Sequence, residues 1–174
     1  EKVLQMSMFE RQKAALRLTE VDANAAIDNI INTFKLKVEK YGGRLTAQLD
    51  AEDAIVNVDE MHFTNVIFNL LDNAVKYRRE DEPLQLAAST EQISGNRLQI
   101  TISDNGIGIK KDDLKKIFEK FYRVSTGNRH DVKGFGLGLA YVKKMVTEFG
   151  GEIRAESEYN VGTKFIIILP LIKN

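Results

Sequence analysis

Between Asp59 and Tyr77 the chain carries two stripes at once, both at helical spacing. Phe63, Ile67, Leu70 and Ala74 recur three and four residues apart and make an apolar face. Asn65, Asn69, Asn73 and Lys76 recur at the same spacing and make a second, polar face. Such a segment is a helix that lies on a core with one side and keeps a coherent polar surface on another. Asp59, immediately before it, is the residue type that caps a helix start. Asparagine is roughly 0.5 kcal/mol poorer than alanine at an interior helix position, so Asn69 and Asn73, one turn apart, need a reason other than helix stability. A bound cation is one such reason.

The rest of the pattern supplies the core. Residues 22–41 form a longer helix, with Ile27, Ile30, Ile31, Phe34 and Val38 on one face and Gly42-Gly43 as the stop. Leu139, Val142, Val146 and Phe149 define a third helix, closed by Gly150-Gly151. Strands are predicted over 44–49, 54–58, 84–89, 98–103, 152–158 and 163–169. The fourth of these alternates Leu98, Ile100 and Ile102 against Gln99, Thr101 and Ser103, as a half-buried antiparallel strand does. Gly95-Asn96 marks a hairpin turn before it. A short helix near 112–118 leads into 119–133, which carries Ser125, Thr126, Gly127 and Asn128 and reads as a mobile loop. Residues 1–18, with Leu4, Met8, Ala15 and Leu18 near one face and Arg11 interrupting it, read as the end of a helix. The sum predicts a two-layer α/β (α+β) sandwich, a mixed, mostly antiparallel five-stranded sheet covered by three helices.

Composition narrows the chemistry by exclusion. A chain of 174 residues buries a core without disulfides or structural metal. The formal net charge of zero offers no field for nucleic acid or an anionic membrane, so neither is expected as a direct partner. With no cysteine there is no disulfide framework, zinc-thiolate cluster or thiol nucleophile, and a cytoplasmic location is compatible. No apolar run approaches the ~20 residues that cross a bilayer, and Glu1-Lys2-Val3-Leu4 lacks the pattern of a signal peptide. The chain starts inside a helical pattern and reads as a piece of something longer, whose upstream part has room for membrane spans.

Two glycine clusters add chemistry to the polar helix face. In Asp104-Asn105-Gly106-Ile107-Gly108-Ile109, an aspartate ends a strand and glycines let the backbone approach closely. A carboxylate there can accept from the exocyclic amine of a flat ring, although a plain turn after a strand has the same composition. In Gly134-Phe135-Gly136-Leu137-Gly138-Leu139, alternating glycines precede a helix, so free amides and the helix dipole can face a phosphate. A ligand-free connection is the alternative. The cluster follows a loop and lacks a lysine-serine or lysine-threonine ending, which argues against both a Rossmann fingerprint and a P-loop. A nucleoside triphosphate brings Mg²⁺, which takes few protein ligands beside the phosphates. Asn73 can supply one oxygen, Lys76 can meet phosphate oxygens, and Tyr77 can lay its ring on the base or ribose.

In order along the chain, Asn-Leu-Leu-Asp-Asn-Ala-Val-Lys-Tyr at 69–77, Asp-Asn-Gly-Ile-Gly-Ile at 104–109, Phe-Glu-Lys-Phe-Tyr-Arg at 118–123 and Gly-Phe-Gly-Leu-Gly-Leu at 134–139 resemble the N, G1, F and G2 boxes of sensor histidine kinases. The resemblance runs from residue 21 to the end. It implies the Bergerat ATP-binding fold of the GHKL superfamily, shared with type II topoisomerases, mismatch-repair ATPases and the large heat-shock chaperone. By the resemblance, Asp104 binds the adenine amine, with Thr163 after Gly162 assisting through water. Asn73 ligates Mg²⁺ with Asn69 beside it, Lys76 and Arg123 contact phosphates, and Tyr77 packs on the nucleoside. Gly106, Gly108 and Ile109 shape the adenine pocket. Gly134, Gly136 and Gly138, with Leu137 and Leu139, form the phosphate-side hinge of an ATP lid that Phe118 and Phe121 anchor.

The activity implied is transfer of the γ-phosphoryl group of ATP to a histidine on a dimerization helix, for relay to the receiver domain of a response regulator. Asn69, Lys76 and Arg123 are the implied catalytic residues. Hydrolytic relatives resemble this motif but place a glutamate where Asn69 stands, and an amide cannot serve as that general base. Residues 1–19 resemble the end of the dimerization helix with its linker, and 20–174 the catalytic domain. The implied partners are the chain's own dimerization domain, in a homodimeric parent, and the receiver domain. His62 and His130 match no acceptor motif and are expected at the surface. A nucleotide-gated interaction module without transfer and a hydrolytic ATPase are the competing readings.

Overall fold

In the computed structural model, which describes residues 16–120, 122 and 138–172, the first regular element is a short strand, β1 (Thr19–Asp22). Asp22 then caps helix α1 (Ala23–Lys40), its carboxylate accepting from the Ala25 N–H at 3.3 Å. Strands β2 (Arg44–Leu49) and β3 (Ile55–Val58) follow, then helix α2 (Glu60–Lys76). The hairpin of β4 (Gln85–Ile93) and β5 (Arg97–Asp104) turns through Gly95 and Asn96, both at positive φ. A single turn of helix, α3 (Lys111–Leu114), precedes helix α4 (Gly138–Glu148), and β6 (Glu152–Glu158) and β7 (Gly162–Pro170) complete the order.

Five strands form one sheet in the order β2-β4-β5-β7-β6, parallel only between β2 and β4. That parallel pair requires a crossover, and α2 travels in it. The period-two alternation of the strands divides the sheet into two faces. Leu86 and Ala88 on β4, Leu98, Ile100 and Ile102 on β5, and Phe165, Ile167 and Leu169 on β7 are all buried beneath the helices. Against them lie Ile27, Ile31 and Phe34 of α1, Phe63, Ile67 and Leu70 of α2, and Val142, Met145 and Val146 of α4, also buried. Each such side chain contributes about 1.5–3 kcal/mol relative to exposure, which is why the helical stripes decide the layer order. The two-layer sandwich is the one the periodicities predict. No helix among the described residues is long and apolar enough to cross a membrane.

Three features depart from the reading of the sequence. β1 was not anticipated, and it pairs antiparallel with β3, from Thr19 opposite Val58 to Asp22 opposite Ile55, in a separate two-stranded sheet. Of the short helix expected over 112–118, only Lys111–Leu114 forms. The helix read over 1–18 falls almost wholly outside the described residues; Leu16, Arg17 and Leu18 have no regular structure.

Asp59 does two jobs at the start of α2. One carboxylate oxygen caps the helix by accepting from the His62 N–H at 3.2 Å, and the other accepts from the Arg17 N–H at 3.0 Å. The residue is buried, so both bonds form largely away from water. Asp59→Ala is expected to remove about 2 kcal/mol of stability, about 1 for the cap and the rest for an amide left unsatisfied. Urea denaturation checks this; a loss under about 0.5 kcal/mol would mean that water replaces both bonds.

Candidate functional site

The helix-side face of the sheet is apolar apart from the buried Thr90 until its last row, in which three of four side chains are polar. There Leu86, Asp104, Thr163 and Ser157 stand side by side on four strands, paired Leu86 to Asp104, Asp104 to Thr163 and Thr163 to Ser157. Directly paired residues of antiparallel strands project to the same face, so three polar side chains converge at one end of the core. Asp104 accepts from the Gly106 N–H at 2.8 Å and from the Thr163 backbone. Burial pushes its carboxyl up to about 6 although both backbone bonds pull it down. A part-buried carboxylate with unused lone pairs is poised to accept a ligand's hydrogen bond.

The last turn of α2 closes over this row. The Tyr77 carbonyl accepts from the Ile107 N–H at 3.0 Å, and a Cβ at Gly106 would lie 2.6 Å from that same carbonyl oxygen. Asn73, whose carbonyl accepts from the Tyr77 N–H at 3.1 Å, is therefore at the same end of the molecule as Asp104. From the other side, the β6–β7 turn presses on the loop after β5. The Asn160 N–H donates to the Ile107 carbonyl at 2.6 Å, and the Ile109 N–H donates to the Ser157 Oγ at 2.8 Å. At Gly162 a Cβ would lie 2.1 Å from the Asp104 carbonyl oxygen, so a side chain there would force the two strands apart.

Arg79 completes this clamp. Its guanidinium donates to the Asn160 carbonyl across the loop and pairs with Glu82 at 2.5 Å. Tyr77 to Ile107, Ile107 to Asn160 and Asn160 to Arg79 form a closed ring of contacts returning to the end of α2. Sequence reading missed Arg79, because its partner is 81 residues away and no local pattern announces it.

Along the polar face of α2, Asn69 is buried, and its amide nitrogen donates to the Asn65 carbonyl at 2.7 Å. Its side-chain oxygen, with two lone pairs, is the atom that can meet a cation. Lys76 lies 3.2 Å from Asp72, which Lys37 also meets at 2.9 Å. Burial would raise the Asp72 carboxyl, but the two ammonium groups outweigh it and hold the carboxyl below its usual range. Lys76 thus meets a carboxylate in this structure, a partly exposed pair of a kind worth only about 0–1 kcal/mol, which a phosphate oxygen can displace. No three His, Cys, Asp or Glu side chains among the described residues cluster as a metal site. The donors here suit a hard cation that draws most of its ligands from phosphates and water.

His62 is not the simple surface residue expected. It is half-buried, and its Nδ1 lies 2.6 Å from the hydroxyl of Tyr141 in the first turn of α4, while the Asn65 amide meets the same hydroxyl at 3.4 Å. Gly138 opens α4 and Leu139 packs at the edge of the core. Phe118 also packs there, its ring edge-on to Phe165 at 6.3 Å. Phe121, Arg123, Gly134, Gly136, Leu137 and His130 lie outside the described residues, as does most of the loop read over 119–133.

Known proteins share both sequence and fold. Residues 58–173 match the family of histidine kinase-, DNA gyrase B-, and HSP90-like ATPases. The chain is 64% identical, over all 174 residues, to the sensor protein RprX of Bacteroides fragilis (strain YCH46), and spans 33% of it. It is 32% identical over 168 residues to the sensor histidine kinase WalK of Bacillus subtilis (strain 168), covering 97% of this chain and 27% of that one. The catalytic domain of histidine kinase ThkA, in a nucleotide-free form, superposes with a TM-score of 0.75 at 26% identity, covering 89% of this chain and 96% of that domain. The chain spans about a third or less of the length of these curated relatives. With the four boxes in order and a polar row facing the end of α2, the chain belongs to the histidine kinase-, DNA gyrase B- and HSP90-like ATPase family, as the ATP-binding domain of a sensor histidine kinase.

Proposed function

We propose that this domain binds Mg-ATP between the polar row and α2 and transfers the γ-phosphoryl group to a histidine on a dimerization helix outside residues 20–174. The observation that carries the reading is the meeting of Asp104 with the Asn73 to Tyr77 turn of α2 at one end of the sheet. In this reading Asp104, helped by Thr163, accepts from the adenine amine, and Gly106, Gly108 and Ile109 form the pocket floor. Tyr77 covers the nucleoside. Asn73 and Asn69 present side-chain oxygens to Mg²⁺, which when bound neutralises phosphate charge. Lys76 exchanges Asp72 for a phosphate oxygen. Arg123 adds positive charge there, and Phe121, Gly134, Gly136, Leu137, Gly138 and Leu139 belong to the lid and its hinge.

In the transfer, the lone pair of a neutral imidazole nitrogen bonds to the γ-phosphorus while the bond to the β,γ-bridging oxygen breaks and ADP leaves, and the resulting phosphoimidazolium releases the proton of its other ring nitrogen to water. The work is positioning and charge neutralisation, which needs no general base beside the γ-phosphate. Asn69 suits it, since an amide does not activate water. Neither histidine of the chain suits the acceptor role: His62 is tied to Tyr141, and His130 sits in the lid region of the sequence. Residues 1–19 act as the end of the dimerization helix and its linker, and the bond from the Arg17 N–H to Asp59 supports that entry point. The partners of the parent, a cytoplasmic homodimer or one anchored in the membrane, are its own dimerization domain and a receiver domain.

The test is incubation of the chain with Mg-ATP and a separate dimerization-domain polypeptide carrying the acceptor histidine. Formation of acid-labile phosphohistidine is expected; tight Mg-ATP binding with no transfer would favour a nucleotide-gated interaction module instead. Asn73→Ala is expected to collapse the gain in ATP affinity that Mg²⁺ provides by about tenfold, or about 1.4 kcal/mol. Calorimetric titration with and without the metal reads this, and an unchanged gain would place the ligand elsewhere.

A further inference from the structure

We propose that Ser157 sets the base specificity of the pocket by fixing the direction of the Thr163 hydroxyl, so that the polar row offers acceptors alone. The inference rests on the reading of Asp104 as the group that recognises the base. A serine hydroxyl has one hydrogen to donate and two lone pairs with which to accept. Ser157 accepts from the Ile109 N–H at 2.8 Å. It donates to the Gly162 carbonyl at 2.9 Å, an oxygen that can only accept. Its third contact, at 2.8 Å, is the Thr163 Oγ1. With its hydrogen committed to Gly162, Ser157 has only a lone pair left for Thr163, so Thr163 is the donor in that bond. The reverse arrangement would leave the Ser157 and Gly162 oxygens 2.9 Å apart with no hydrogen between them. Thr163 is buried, which makes such an uncompensated contact costly and the favoured arrangement strongly biased.

The consequence reaches the neighbouring strand. Thr163 pairs with Asp104, and both side chains stand on the same face. With its hydrogen turned toward Ser157, the Thr163 oxygen has only lone pairs to present beside the carboxylate, which has none but lone pairs itself. A base edge that carries an amine meets two acceptors. A 6-oxopurine puts a carbonyl oxygen where the amine was, and that oxygen meets two acceptors and no donor; its one donor on that edge, N1–H, lies at the neighbouring ring position. A water bridging both groups transmits the same preference, because it spends one hydrogen on Thr163 and the other on the Asp104 carboxylate and has only lone pairs left for the base. Ser157 touches no base in this scheme and is a positioning residue. It is also invisible to sequence reading, since it sits in a strand that alternates with glutamates and acquires its role only through the β6–β7 register.

The experiment compares Mg-ATP with Mg-ITP, whose base is a 6-oxopurine, by titration of the whole chain. The wild type is expected to prefer ATP, and Ser157→Ala, which frees the Thr163 hydroxyl to rotate and donate, is expected to narrow that preference about tenfold. Ser157→Thr keeps the oxygen and is expected to restore the preference. In a Thr163→Val background, Ser157→Ala is expected to change the preference no further, which separates an effect through Thr163 from general loosening. If Ser157→Ala does not fold, Ser157→Cys, with a weak sulfur acceptor, carries the same expectation. A folded Ser157 variant that lacks the oxygen yet keeps the wild-type preference, or a wild type with no preference, overturns the proposal. Undiminished ATP affinity in Asp104→Asn would instead overturn the reading of the pocket on which the proposal rests.

Discussion

Replacing Asp104 with asparagine is expected to abolish nucleotide binding while leaving the fold at least as stable at neutral pH. The two effects have one cause. Burial raises the folded carboxyl from its usual 3.8 to about 6, so the ionised form, the one proposed to accept from a base amine, is held at a cost in free energy. Stability from this group is fully present below about pH 4, where both folded and unfolded chains carry the proton. It is lost as pH rises through about 6, because the folded chain binds the proton more tightly than the unfolded one. A shift of about two units corresponds to up to about 3 kcal/mol, so wild type should weaken relative to Asp104→Asn between pH 4 and pH 7 and run parallel above that. Denaturation midpoints across the range check the stability arm. For wild type, ATP affinity should fall as pH drops through about 6, since the proposed role of Asp104 requires the carboxylate as acceptor. A variant that keeps ATP affinity within about threefold would end the assignment.

Gly108→Ala should lose stability along with nucleotide binding. The residue has φ +76, and a Cβ on it would lie 2.2 Å from the Glu158 carbonyl oxygen and 2.9 Å from the Tyr159 Cα. Those are backbone atoms of the β6–β7 turn, which the bonds from Asn160 to Ile107 and from Ile109 to Ser157 hold against this loop. Neither side can retreat without breaking the clamp, so a loss of at least about 3 kcal/mol is expected, with nucleotide affinity falling with it. Gly42 provides the internal comparison. It has φ +74 but open space around the position of a Cβ, so Gly42→Ala should cost only about 1 kcal/mol for its backbone conformation. Thermal melts of the two variants separate close packing from positive φ, and equal losses would show that the Glu158 contact yields easily.

The parts of the molecule legible in the sequence were those whose cause is local. Helix α2 announced both faces through spacing alone, and Asp59 marked its start by residue type. β5 was readable because it has one wet face and one dry one. β1 was not, because Thr19-Glu20-Val21-Asp22 has one apolar residue and owes its extended form to β3, more than thirty positions on. The site divides in the same way. Asn69, Asn73 and Asp104 stood in recognisable motifs, whereas Ser157, Arg79 and Tyr141 act through partners that only the register and the packing of the helices bring near. Lys76 was legible as a cation on the right face but not as one already paired with Asp72.

The row formed by Leu86, Asp104, Thr163 and Ser157 draws one residue from β4, one from β5, one from β7 and one from β6. No hairpin folded by itself contains it. Under the proposed reading, adenine is recognised only after distant stretches of chain have zipped together, so a partly folded intermediate is blind to nucleotide. Free energy gained from ATP therefore accrues to the finished sheet as a whole, protecting its slowest-exchanging amides as much as those beside the ligand.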